Sequence, residues 1–166
     1  MKDRVLVAGV GNIFLGDDGF GVEVARRLAT LDLPDWVRVA DYGTSGIHLA
    51  YDLADGYATT ILIDAAPRGG EPGTVTVMEV DEEQRRLAHV GVPLEAGRLF
   101  DGHGMQPDVV LGMLSMLGAD IPRILVVSCE PASVDYGIGL SPPVAAAVGE
   151  AVPVILDLIT PTPDDN

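Results

Sequence analysis

The residues able to do chemistry in this chain are mainly acids. Asp64 directly follows the apolar run Ile61-Leu62-Ile63, where an unpaired carboxylate is costly to bury. It needs a metal, a hydrogen-bond donor or a positive charge. A structural carboxylate accepting loop N–H groups fits the same position. Asp17 and Asp18 lie between Gly16 and Gly19. Acids at a helix N-terminus are favoured by the macrodipole or serve as caps. One of the pair can cap while the other points into a crevice. His103 sits in Asp101-Gly102-His103-Gly104, with little apolar surface nearby to bury its ring. Two carboxylates and an imidazole make an N/O donor set for zinc, nickel or similar ions, with coordination positions left for a substrate. The spacing is unspecific, because no HExxH or CxxC pattern occurs. His48 and His89 have ordinary surroundings. Cys129, the single cysteine, ends an apolar run and reads as an inert core thiol. The competing reading makes it a nucleophile with His103 as base.

Hydrophobic patterning supplies the elements that would carry these groups. Strands are expected at Val5–Val10, Trp36–Ala40, Thr60–Ala65, Thr74–Val80 and Arg123–Ser128. Helices are expected near Phe20–Leu31, Ile47–Leu53 with Ser45 as cap, Pro107–Leu117, and Pro142–Ile159 with Pro153 as a possible kink. The turn Pro67–Gly73 is too short for a helical crossover, so the strand after it should run antiparallel to its predecessor. Residues 81–102 read as a long, functional loop. The order β-α-β-α-β-β-α-β-α argues for a mostly parallel five-stranded sheet with one antiparallel strand and helices on both faces. One domain over residues 1–160 and a frayed tail over 161–166 are expected. In such sheets ligands sit at the carboxyl ends of the strands. That edge should gather Asn12, Asp17 and Asp18 after the first strand, Asp41 after the second, Asp64 at the end of the third, and His103.

Composition narrows the function classes. The chain has 166 residues, 48% hydrophobic and 21% charged, which is a globular composition. Net charge is −15, with Lys2 the only lysine, and such a surface repels phosphate backbones. Nucleic acid is therefore not an expected partner. No apolar run reaches the ~20 residues of a bilayer span, and no signal-peptide pattern is present. A cytoplasmic location is expected.

Gly9-Val10-Gly11 after a strand imitates the start of a dinucleotide fingerprint, with Asp41 in the ribose position. Phe14 stands where the third glycine is wanted, and Asp17 and Asp18 would repel a pyrophosphate.

The run Gly9-Val10-Gly11-Asn12-Ile13-Phe14-Leu15-Gly16-Asp17-Asp18-Gly19-Phe20-Gly21-Val22 resembles the opening motif of the [NiFe]-hydrogenase maturation endopeptidases. The resemblance continues through Asp41 with Gly43-Thr44, Ile63-Asp64-Ala65, Glu71-Pro72-Gly73-Thr74, His103 and Ile138-Gly139-Leu140-Ser141-Pro142. It implies a three-layer αβα sandwich. It implies an endopeptidase that removes the C-terminal extension of a hydrogenase large-subunit precursor after nickel insertion. The family's acid–acid–histidine metal ligands map onto Asp18, Asp64 and His103. The first is often Glu in the family, one methylene longer than Asp18, and Tyr42 stands where many members have Gly. Nickel would arrive on the substrate, so no permanently bound cofactor is expected. Water would be activated either by nickel or by a carboxylate, Asp41 or Asp64. A monomer is expected. The alternative is a non-catalytic chaperone that reads the nickel of the same precursor and cuts nothing.

Overall fold

The computed structural model describes residues 4–80 and 123–160. His103, the long loop over 81–102, the helix expected over 107–117 and the tail over 161–166 lie outside the described residues.

Five strands form one sheet: β1 (Val5–Val10), β2 (Val37–Gly43), β3 (Thr59–Ala65), β4 (Val75–Glu79) and β5 (Arg123–Cys129). Their order is β2-β1-β3-β5-β4, with every neighbouring pair parallel except β4–β5. β1 is buried along its whole length and β3 along most of it. Both therefore read as continuous apolar runs.

Among the described residues, three helices cover the two faces: α1 (Phe20–Ala29), α2 (Gly46–Leu53) and α3 (Pro142–Ile159). Val5, Val7, Ile61 and Ile63 pack with Phe20, Val24 and Leu28 of α1 and with Val144, Ala147 and Ile155 of α3. Leu6, Ala8, Leu62 and Val126 pack with Leu49 and Leu53 of α2 on the other side. The alternation of β1 and β3 between these two cores is what makes three layers. The expected αβα architecture is observed.

By length and hydropathy α3 alone among the described helices could cross a bilayer. It nevertheless buries one stripe, Val144, Ala147, Val148, Ala151, Ile155 and Ile159, against the sheet and α1. That helical spacing is the mark of a core-facing helix. Pro153 falls on its exposed side, where the carbonyl left without a donor meets water.

The structure departs from the sequence reading at the end of α1, at the end of β2 and in the place of β4 in the sheet. α1 ends at Ala29 because Thr30 and Leu31 donate to Arg27 and Leu28 carbonyls, tightening the last turn. β2 extends to Gly43, because residues 41–43 pair with Gly9 and Val10 across a register shift. β4 runs opposite to β3, as expected, but β5 lies between them. The turn after β3 arches over the end of β5 and is stitched there by Gly73 N–H to Glu130 O at 2.8 Å and Glu130 N–H to Thr74 O at 2.9 Å.

Candidate active site

Chain direction reverses across β1: β2 lies on one side and β3 on the other. A crevice opens at such a switch point, outside the carboxyl ends of the strands. The loop after β1 and the end of β3 both face it.

The loop after β1 is shaped by glycine and by the two acids. Gly11 has φ +138°, and a Cβ there would overlap the Asp18 carbonyl oxygen. A Cβ at Gly21 would overlap the carbonyl oxygens of Ile63 and Val10. These two glycines let the start of α1 settle onto the ends of β1 and β3. Residues 16–19 make a short 3₁₀ turn. The Asp18 carboxylate accepts the Asn12 N–H at 2.8 Å, closing the loop on itself. A phosphate in a dinucleotide fold needs such loop N–H groups. Here the carboxylate of Asp18 takes the one at Asn12.

Asp17 turns the other way and is 1% exposed. Its carboxylate accepts Ala132 N–H at 2.8 Å, Ser133 N–H at 3.0 Å, Ser141 N–H at 2.7 Å and the Ser141 hydroxyl at 2.8 Å. Its own N–H donates to the Ser133 carbonyl at 3.0 Å. Burial pushes this carboxyl up, but the bonds from Ser141, Ser133 and Ala132 outweigh it and hold it below the ordinary value. Asp17 thus ties the loop after β1 to the loop after β5 and to the start of α3, where the macrodipole also favours a negative charge. This is the physical content of the Gly139-Leu140-Ser141-Pro142 signature.

Asp64 stands on the α2 face of the sheet beside Ser128, its register partner on β5. The Ser128 hydroxyl donates to Asp64 Oδ1 at 2.7 Å. Desolvation by burial raises the Asp64 carboxyl above the ordinary range; Ser128 and Arg68 pull it down, and the charge of Asp18 pushes it up. The charge of Asp18 thus reaches Asp64. Two acids whose charges reach each other at this edge suit cation binding or general-base chemistry.

Asp41 is not brought to that pair. Its carboxylate lies 3.5 Å from Arg26 Nε of α1, on the opposite face of the sheet. His103, the third member of the expected set, lies outside the described residues. Among the described residues, no three His, Cys, Asp or Glu side chains gather as a metal-binding group.

A family model described as hydrogenase maturation protease matches residues 22–158. The chain belongs to the hydrogenase maturation protease family. It is 32% identical to the hydrogenase 2 maturation protease of Escherichia coli over 154 residues, covering 92% of this chain and 88% of that one. The structure of the hydrogenase maturating endopeptidase HybD from E. coli superposes with a TM-score of 0.74 at 32% identity, covering 94% of this chain and 91% of that chain. A hydrogenase 2 maturation peptidase from a Thaumarchaeota archaeon gives 0.71 at 32% identity, covering 95% and 98%. Like them, the protein is a hydrolase of the maturation-protease class.

Cys129 does not fit a nucleophile in this protease. It is wholly buried on the α1–α3 side, and burial raises its thiol to about 11. At neutral pH it is protonated. Cys129→Ala is expected to retain full cleavage activity and to lose about 1 kcal/mol of stability from the small cavity. Progress curves and a thermal melt check this; loss of cleavage in a folded variant would restore the thiol mechanism.

Sequence reasoning missed Ser128 and the bonding role of Ser141. The signal for Ser128 was present: a hydroxyl closing the apolar run Ile124-Leu125-Val126-Val127, at the same edge as Asp64.

Proposed function

We propose that this maturation protease removes the C-terminal extension of a [NiFe]-hydrogenase large-subunit precursor once nickel is in place. Asp18, Asp64 and His103 are the groups assigned to read the nickel, which belongs to the substrate. The observation that carries the proposal is the Asp18–Asp64 pair, set at the carboxyl edge of the sheet in a chain of this family. A nickel-free precursor would offer this site no cation and would lose several kcal/mol in recognition.

For water activation, the geometry favours Asp64 over Asp41. Asp41 is held by Arg26 away from the pair. Asp64 has a raised carboxyl, which makes it the stronger base of ordinary carboxylates at the site. Ser128 fixes its orientation and leaves Oδ2 for the water or the metal.

Mass spectrometry of the precursor, nickel-loaded and nickel-free, after incubation with the protein tests this. The expected result is loss of one defined C-terminal peptide from the loaded form only. Cleavage of both forms would end the nickel-reading role. An intact loaded precursor that still binds would favour the chaperone reading.

A further inference from the structure

The loop between β5 and α3 presents a surface that the fold does not use. Tyr136 is 91% exposed and Ile138 79% exposed, and Phe14 on the facing loop is 53% exposed. Large apolar side chains standing in water contribute nothing to the core. When they cluster, they mark contact surfaces, and tyrosine is among the residues that dominate such contacts. Charge sets this surface apart as well. The chain carries −15, yet residues 11–16 hold no charged side chain and residues 131–141 hold only Asp135.

This surface is fastened to the candidate site. Gly16 N–H donates to Gly137 O at 2.9 Å and Gly137 N–H to Phe14 O at 2.8 Å, making a parallel bridge between Leu15 and Gly137. Asp17 holds the same two loops together from below. Phe14, Tyr136 and Ile138 flank the bridge, and Asp18 lies on the next turn of the same loop. Beside them Ile13, Ile138 and Leu140 share an open groove against α1 and α3 with Glu23, Arg26 and Arg27.

We propose that Phe14, Tyr136 and Ile138 form the docking rim for the protein substrate. The inference rests on the reading of the substrate as a hydrogenase precursor. The occupant follows from continuity with the site. A protein that must bring its scissile bond to Asp18 and Asp64 has to lie across this edge. A rim locked to the Asp18 loop holds it there at a fixed offset. The rim is apolar, so it adds affinity without competing with the carboxylates for the cation.

The test is isothermal titration of the full chain into uncleaved nickel-free precursor, together with steady-state cleavage of nickel-loaded precursor. The variants are Tyr136→Ser with Ile138→Ser, the conservative Ile138→Leu, and Leu31→Ser as a control at the far end of α1. The double variant is expected to bind at least tenfold more weakly and to raise KM at least tenfold, with kcat within twofold of wild type. Ile138→Leu and the control should match wild type, and all should melt at the wild-type temperature. Unchanged affinity and KM in the double variant would overturn the rim. So would a wild-type chain that dimerises through these residues while precursor affinity stays the same in the variant. Binding that depends on the rim, without any cleavage, would leave the rim standing and remove only the protease reading of the precursor.

Discussion

Asp64→Asn is expected to stop precursor cleavage and to raise thermal stability. The substitution conserves volume, and the Asn carbonyl can still accept the Ser128 hydroxyl that reaches Oδ1 at 2.7 Å. What it removes is the charge. Desolvation is the largest influence on this carboxyl, and with the push from Asp18 it outweighs the help from Ser128 and Arg68. The folded protein therefore disfavours the ionised form relative to the unfolded chain. At neutral pH, above the folded pKa, the charge costs stability. That cost fades as pH falls through the folded pKa toward the ordinary 3.8. The variant should melt about 2–4 °C higher at pH 7, the shift that ~1 kcal/mol produces in a domain of this size. The gap should close on acidification. Cleavage should fall by about 10²–10⁴, the usual contribution of a positioned base, or further if nickel recognition fails too. Melts at two pH values and mass spectrometry of the precursor read both effects. Normal processing would remove Asp64 from the site. A large drop in melting temperature would make it a structural carboxylate instead.

That opposition between stability and activity explains what could be read from the sequence. The sheet was legible because buried parallel strands have to be apolar throughout, as at Val5–Val10 and Ile61–Ile63. Asp64 stood out because it breaks such a run. The sheet order was less legible: a nine-residue turn between β3 and β4 fixes their relative direction, but only long-range packing decides that β5 enters between them. The end of β2 was misread as loop, because its Asp41-Tyr42-Gly43 has turn composition. Its pairing with Gly9 and Val10 is set by the neighbouring strand. The same extension carries Asp41 to Arg26 on the α1 face. Proximity at a sheet edge does not say which face a side chain takes. The division of labour between Asp17 and Asp18 was open in the sequence for the same reason, since the partners of Asp17 lie more than a hundred residues away.

Those partners make Asp17→Asn the second large effect, of opposite sign in stability. Oδ2 receives three of the four bonds to this carboxylate and Oδ1 the fourth. An amide cannot serve both sides. Whichever side its NH2 occupies, it meets backbone N–H groups that then lose their acceptor. Bonds to an ionised group contribute about 1.5–3 kcal/mol each, and they are not additive in one cluster. A net loss of about 3 kcal/mol is expected. Ser141→Ala, which keeps the carboxylate and loses one donor, should cost about 1 kcal/mol. The pH dependence separates Asp17 from Asp64. Because its bonds hold the Asp17 carboxyl below 3.8, its stabilisation is complete above that pH and is lost as pH falls through the lower folded value. The difference between wild type and Asp17→Asn should therefore be constant from neutral pH down to about 4 and shrink only below it. Activity should fall as well. Asp17 joins the loop bearing Asp18 to the loop after β5, and a 1 Å displacement near reacting groups costs about a hundredfold. At temperatures where the variant is folded, kcat should drop by about that factor. A variant with the lower melting temperature but wild-type kcat would show that the Asn12 N–H bond at 2.8 Å is enough to place Asp18. Asp17 would then serve only to anchor the start of α3.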